Sequence, residues 1–190
     1  MSVKCRQRSR SNRTTDLNMA SLVDFQIRDL SRKQGMVEPF ESEQLCPASY
    51  DVRLGNMFKR EGRVCGPDPT RWTDHYLRED EEFELYPGHF VLAHTIEYVR
   101  LPNNIEGQFQ LKSSRAREGI QHLFAGFLDP GFHGQVTLEL KNVTMRHTIV
   151  LKPGMLIGQL RFAQLSENPM RPYSLTGRYM NDLGAVESKG

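Results

Sequence analysis

Short apolar runs, broken by Pro-Gly turns at nearly even intervals, leave this chain few folds to choose from. Tyr50, Val52 and Leu54 alternate with polar neighbours, and Phe83 and Leu85 do the same before Pro87-Gly88. Val136, Leu138 and Leu140 alternate with Thr137, Glu139 and Lys141. Ile149 to Leu151 precedes Pro153-Gly154 and the run Leu156 to Phe162. Phe90 to Ala93, Tyr98 to Leu101 and Phe109 to Leu111 are further short candidates. A period of two sends alternate side chains to opposite faces of a strand, so one face can be buried while the other stays polar. Short strands with a turn signal about every 8–12 residues predict a mainly β sandwich or barrel and argue against a parallel α/β sheet. One helix is predicted, from Leu22 to Lys33, with Leu22, Phe25, Ile27 and Leu30 as its apolar face and Gly35 as its stop.

With 190 residues, 38% of them hydrophobic, the chain suits one compact domain with a single core. No apolar run approaches the roughly 18 residues that span a bilayer, so a membrane is not expected as a partner. Cys5, Cys46 and Cys65 are widely spaced and form no CxxC pair, which argues for a reducing compartment and against both a disulfide scaffold and a cysteine zinc site. The net charge of +2 is uneven. Lys4, Arg6, Arg8, Arg10 and Arg13 stand against Asp16 alone in the first 19 residues, and the remainder is slightly acidic. Residues 1–20 are therefore expected to form a basic, disordered leader, with Met19 as an alternative start, and nucleic acid is not expected as a partner. The domain is expected over 21–190. Its tail, from about residue 169, has no clear periodicity and is expected to order only against a ligand or a neighbouring subunit.

The chemistry concentrates between Lys112 and Asn142. Lys112-Ser113-Ser114-Arg115-Ala116-Arg117 packs three cations and two hydroxyls into six residues before Gly119. Such a turn suits phosphate oxygens, and it equally suits a solvated basic loop. Ala125 to Phe132 reads as an apolar strand ending in a tight turn with one carboxylate, Asp129, which is either functional or a turn cap. Glu139 lies between Leu138 and Leu140. Alternation turns it to the opposite face, with Thr137. If that face is solvent, Glu139 is ordinary. If it lines a pocket, the carboxylate is suited to moving protons.

This segment resembles the core of the dCTP deaminase family: a basic residue, two serines, two variable positions and an arginine, then Ala125-Gly126, Asp129-Pro130-Gly131-Phe132, and the strand Thr137-Leu138-Glu139-Leu140. Pro47 to Gly55 resembles the family's N-terminal motif and Leu151 to Leu160 its late strand pair. Arg171-Pro172-Tyr173 and Arg178-Tyr179 resemble its nucleotide-closing tail. The similarity runs in order from about residue 22 to 187.

The resemblance implies a distorted β-barrel or jelly roll of the dUTPase-like type, trimeric, with active sites between subunits. It implies that Lys112, Ser113 and Ser114 hold the triphosphate with Tyr173 and Arg178, that Mg²⁺ rides on the phosphates, and that Asp129 meets the deoxyribose 3′-hydroxyl. Backbone at Thr137 and Leu138 would read the pyrimidine edge. Glu139 would be the general acid and base, with Ser113 and Arg117 placing the water and orienting Glu139. The implied reaction is metal-independent deamination of dCTP to dUTP and ammonia in the cytoplasm (a host's, if the gene is viral), with dTTP a candidate inhibitor. A zinc route would need an H-x-E…P-C-x-x-C pattern, and neither half is present. The six histidines show no ligand spacing, and His122 alone falls near a histidine common in the family's pocket.

Four departures stand out: Lys112 in place of arginine, a one-residue shortening between Gly119 and Asp129, Phe124 in place of threonine beside the base, and Asp182 in place of a glutamine that meets the phosphates. The competing readings are a bifunctional enzyme that carries dCTP to dUMP, a dUTPase, and a non-catalytic nucleotide-binding regulator.

Overall fold

The computed structural model describes residues 20–62 and 72–190. The leader proper, with Cys5, its cations and Met19, and also Cys65, lie outside the described residues. In chain order the elements are β1 (Ala20–Ser21), α1 (Asp24–Gln34), β2 (Val37–Glu38), β3 (Leu45–Cys46), β4 (Ser49–Arg53), β5 (Met57–Glu61), β6 (Trp72–Tyr76), β7 (Phe83–Leu85), β8 (Phe90–Arg100) and β9 (Ile105–Leu111). There follow α2 (Ser113–Arg117), β10 (Ile120–His122), β11 (Phe127–Leu128), β12 (His133–Asn142), β13 (Ile149–Leu151), β14 (Leu156–Gln164) and α3 (Tyr173–Thr176).

The fold is mainly β, as the turn spacing predicts. One six-stranded sheet runs β11-β9-β14-β4-β3, with β1 also on β14. The second runs β10-β12-β8-β5-β6, with β2 also on β8, and β13 pairs with β7. Every strand pair between named elements is antiparallel. The sheets do not close into a barrel. They enclose one core in which Tyr50, Val52, Phe58, Leu138, Leu140, Ile157 and Leu160 have no exposed surface.

Helix α1 starts where the Gln26 side chain accepts the Val23 N–H (3.1 Å). It stops at Gly35, whose φ of 66° is open to glycine at little cost and whose N–H reaches the Ser31 carbonyl (2.9 Å). Its buried side is Ile27 and Ser31. Phe25, expected on the apolar face, is 55% exposed. Two residues from Ile27, it lies about 200° round the helix and faces out.

The two candidates at 90–93 and 98–101 are one strand, β8, of 11 residues. The intervening Thr95 and Glu97 are fully buried. Glu97 accepts from Arg53 N (2.8 Å), Arg53 Nε (2.8 Å) and Gln44 Nε2 (3.0 Å), so a carboxylate sits inside the domain with its oxygens occupied. Against it β12 shifts register: Gln135 pairs with Tyr98 but Thr137 with His94. The extra β8 residues are tied down by Val136 N to Thr95 Oγ1 (3.0 Å) and Gln135 Nε2 to the Ile96 carbonyl (3.0 Å). Such a bulge bends a strand and re-aims its side chains.

Candidate active site

Past that bulge, β12 alternates as expected. Val136, Leu138 and Leu140 enter the core, while Thr137 and Glu139 face the other way. That other face lines a cavity of about 540 Å³. Trp72, Phe90 and Leu92 make its apolar end, with the two rings 5.8 Å apart. Ala125, Phe127, Leu128, Asp129 and Phe132 form one wall. Tyr173, Tyr179, Asp182 and Val186 to Ser188 close it from the tail.

Glu139 therefore answers the question left open by its pattern: it lines the cavity, with 24% of its side chain exposed. Its Oε2 is 3.1 Å from His122 Nε2. The contact is close but not aligned as a hydrogen bond, and both atoms are buried without another partner among the described residues. The His122 ring packs on Phe109 with centroids 4.7 Å apart. Backbone ties the two strands at this point, since Leu123 N donates to the Glu139 carbonyl (3.1 Å).

Asp129 is an exposed carboxylate on the cavity wall. Its carbonyl accepts from Phe132 N (3.0 Å), closing the tight turn expected there. The turn is drawn onto β9 through Gly126, whose carbonyl accepts from Phe109 N (2.7 Å). A Cβ on Gly126 would lie 2.6 Å from the Phe109 carbonyl oxygen, so the close approach needs glycine. Leu138 turns its side chain into the core, leaving only its backbone for recognition. Phe124, expected beside the base, is fully exposed and does not line the cavity of its own chain.

The tail packs on β12 of its own chain. Asn181 N donates to the His133 carbonyl (2.7 Å), Gln135 N to the Asp182 carbonyl (3.0 Å), Gly184 N to Gln135 Oε1 (2.7 Å) and Val186 N to Thr137 Oγ1 (3.2 Å). Buried Ala185 anchors it. Lys189 Nζ closes the end on both oxygens of Asp182 (2.7 Å each) and on the Arg178 carbonyl (3.0 Å), and Glu187 meets Lys59 (3.0 Å). Asp182 is thus paired with the chain's own Lys189.

Within one chain the structure gathers Asp129, Thr137, Glu139, Tyr173 and Asp182, with Leu138 behind them. It does not bring the basic cluster to them. Ser113 and Ser114 are exposed on α2, Arg117 is exposed and makes no ion pair or hydrogen bond among the described residues, and none of them lines the cavity. Lys112 pairs with the buried carboxylate of Asp51. Arg178 is exposed and, among the described residues, offers only its carbonyl, to Lys189. The sequence reading missed Gln135, Lys59, Glu187 and Lys189 as tail clamps, because residues so far apart in the chain leave no local signal. It missed the His122–Glu139 contact for the same reason. His94, behind Thr137, is buried and neutral: its Nδ1 faces the Thr95 carbonyl (2.9 Å) and Met57 N donates to its Nε2 (3.3 Å). Burial holds its pKa below the usual 6.5, against the opposing hydrogen bonds to Thr95 and Gln135.

Residues 21–165 match the sequence profile of a family described as dCTP deaminase-like. A protein of Rhodococcus opacus named dCTP deaminase, dUMP-forming, is 39% identical over 180 residues, covering 88% of this chain and 95% of its own. A protein of the same name from Mycolicibacterium smegmatis gives the same figures. One from Nanoarchaeum equitans is 38% identical over 193 residues, covering 88% and 96%. The crystal structure of 2′-deoxycytidine 5′-triphosphate deaminase from Agrobacterium tumefaciens matches with a TM-score of 0.63 at 24% identity, over 77% of this chain. This chain spans 48% of that one, and the likeness shows a shared fold.

Proposed function

The chain belongs to the dCTP deaminase-like family, and from that premise we propose that it removes the 4-amino group of dCTP by hydrolysis, with Glu139 as general acid and base. The observation that carries this is the place of Glu139: a half-buried carboxylate on an interior strand of a sheet, facing a cavity large enough for a nucleotide. The carboxylate takes a proton from water as its oxygen attacks C4 and delivers it to the ring nitrogen. The tetrahedral centre then collapses and ammonia leaves with a second proton passed through Glu139. Fixed backbone dipoles near Thr137 and Leu138 favour that centre over the flat ground state.

Asp129 takes the 3′-hydroxyl, and Tyr173 and Asp182 enclose the phosphate end. Lys112, Ser113, Ser114 and Arg117 stand away from the cavity of their own chain. We assign them to the cavity of a neighbouring copy in a homotrimer, where Lys112, Ser113 and Ser114 hold phosphate while Ser113 and Arg117 position the water. Arg178 joins them from the tail once dCTP is bound. A ring of identical heterologous contacts completes three sites at once.

The product is where this reading moves from the sequence expectation of dUTP. The relatives at 39% identity are named dUMP-forming, which supports carrying the dUTP on to dUMP and pyrophosphate, with Asp129 activating the second water. Asp129 and Asp182 line the cavity, and these carboxylates would face a Mg²⁺ that arrives on the triphosphate with most of its waters. Bound there, the ion would offset phosphate charge. The dTTP end product is a candidate competitor for the cavity. No helix among the described residues is long and apolar enough to cross a membrane, and the cytoplasmic nucleotide pool is the compartment this reading implies.

The test is purified protein with dCTP and Mg²⁺, followed by anion-exchange chromatography, with Glu139→Gln run beside it. Ammonia, dUMP and pyrophosphate from the wild type and none from the variant is the expected result. Accumulation of dUTP would keep the deamination and remove the second step. Survival of dCTP and of dUTP would sink the enzyme reading in favour of the non-catalytic regulator.

A further inference from the structure

We propose that His122 is a positioning residue for Glu139, donating from Nε2–H to Oε2 so that the other carboxylate oxygen is held toward the reacting base. This rests on the deaminase reading of Glu139 and adds a residue to it.

Geometry carries the argument. The two atoms are 3.1 Å apart, within hydrogen-bond range, and both are buried. Neither has another partner among the described residues, although Glu139 sits at the cavity wall where a carboxylate oxygen could have turned to water. Leaving a buried donor and a buried acceptor unpaired costs the desolvation of both, and one small rotation of the imidazole or carboxylate satisfies them together. His122 is held for that contact. Only 8% of its side chain is exposed, its ring rests on Phe109, and its strand is pinned to β12 by Leu123 N on the Glu139 carbonyl.

The chemistry needs such a restraint. A general acid and base that moves protons between water, ring nitrogen and leaving amine must present one oxygen in one place, and a carboxylate free to spin about its last bond does not. Arg117, the residue expected to orient Glu139, does not touch it in the same chain. His122 gives each subunit an internal orienter that does not depend on assembly.

The test compares His122→Leu, which keeps an apolar side chain of similar bulk on Phe109 but has no donor, with His122→Gln, whose amide nitrogen stands near the Nε2 position. Wild type and Glu139→Gln are run alongside, and dCTP affinity is measured separately by calorimetry. Expected are a fall in kcat of about 10- to 100-fold for His122→Leu, the range set by a hydrogen bond to a charged group, dCTP affinity unchanged, and most of the rate recovered in His122→Gln. If His122→Leu keeps wild-type kcat, or loses affinity while kcat holds, His122 only packs the site and the proposal is wrong. If His122→Leu does not fold, His122→Gln decides alone: near-wild-type kcat supports the donor role, and a rate as low as that of Glu139→Gln overturns it. If the wild type leaves dCTP untouched, the deaminase reading has failed and this proposal falls with it. An active wild type with an inactive Glu139→Gln confines any failure to His122.

Discussion

Replacing Arg53 by methionine would strand a carboxylate inside the domain. Glu97 has no exposed surface, and among the described residues Arg53 supplies the only positive charge paired with it, through Nε at 2.8 Å. The Arg53 backbone N–H and the Gln44 amide would remain, so the buried charge would keep two hydrogen bonds and lose its counter-ion. Removing one partner of a buried pair costs about 3–5 kcal/mol, because the other charge is left in a medium that solvates it poorly. For a chain of 190 residues, a loss of that size lowers the melting temperature by roughly 6–20 °C, at about 2–4 °C per kcal/mol. Glu97→Gln should cost less, because Arg53 keeps 25% of its side chain in solvent and can turn out to water. Differential scanning calorimetry at neutral pH compares the two. Glu97 flanks the β8 irregularity opposite Gln135 and Thr137, so Arg53→Met should also weaken dCTP turnover. A melting temperature unchanged in Arg53→Met, or a larger loss in Glu97→Gln, would refute the claim that Glu97 is a buried charge held by Arg53.

Asn142 is fully buried, donates to the Leu85 (2.8 Å) and His147 (3.0 Å) carbonyls and accepts from Thr144 N (2.8 Å). Asn142→Ala leaves three backbone groups to re-pair, so a loss of about 3 kcal/mol or more is expected in urea unfolding. The folded-state pKa of His94 lies below its unfolded value, so the unfolded chain binds its proton first. Stability due to neutral His94 is therefore full above 6.5 and lost as pH falls below it, and His94→Gln should flatten the melting-temperature profile between about pH 7 and 5. Lys189 is 39% exposed, so its pair with Asp182 is worth about 0.2–1 kcal/mol and Lys189→Gln should raise KM for dCTP by no more than about fivefold, less at high salt. A tenfold rise that survives high salt would mean that Lys189 contacts the substrate directly.

Alternation and turn chemistry, both local, determined much of this protein without any coordinates. The period of two around Leu138 set which residues enter the core, and so put Thr137 and Glu139 on one other face. Pro-Gly and Asp-Pro-Gly pairs set the turns, because their backbone preferences belong to the residues themselves. The order of the motifs identified the family. Whether the Glu139 face met water or a cavity was not local, and only the β8 bulge and the returning tail decided it. Thr95 and Glu97 made β8 look like two strands, because their partners Val136, Arg53 and Gln44 lie about 40 residues or more away and a buried polar residue looks like a loop until its partner is known. The tail looked unstructured because its order comes from side chains of β12 and from Lys59 rather than from its own periodicity. The His122–Glu139 contact and the separation of α2 from its own cavity are likewise products of packing: three-dimensional proximity between distant segments is set by how sheets stack, and no window of sequence contains it.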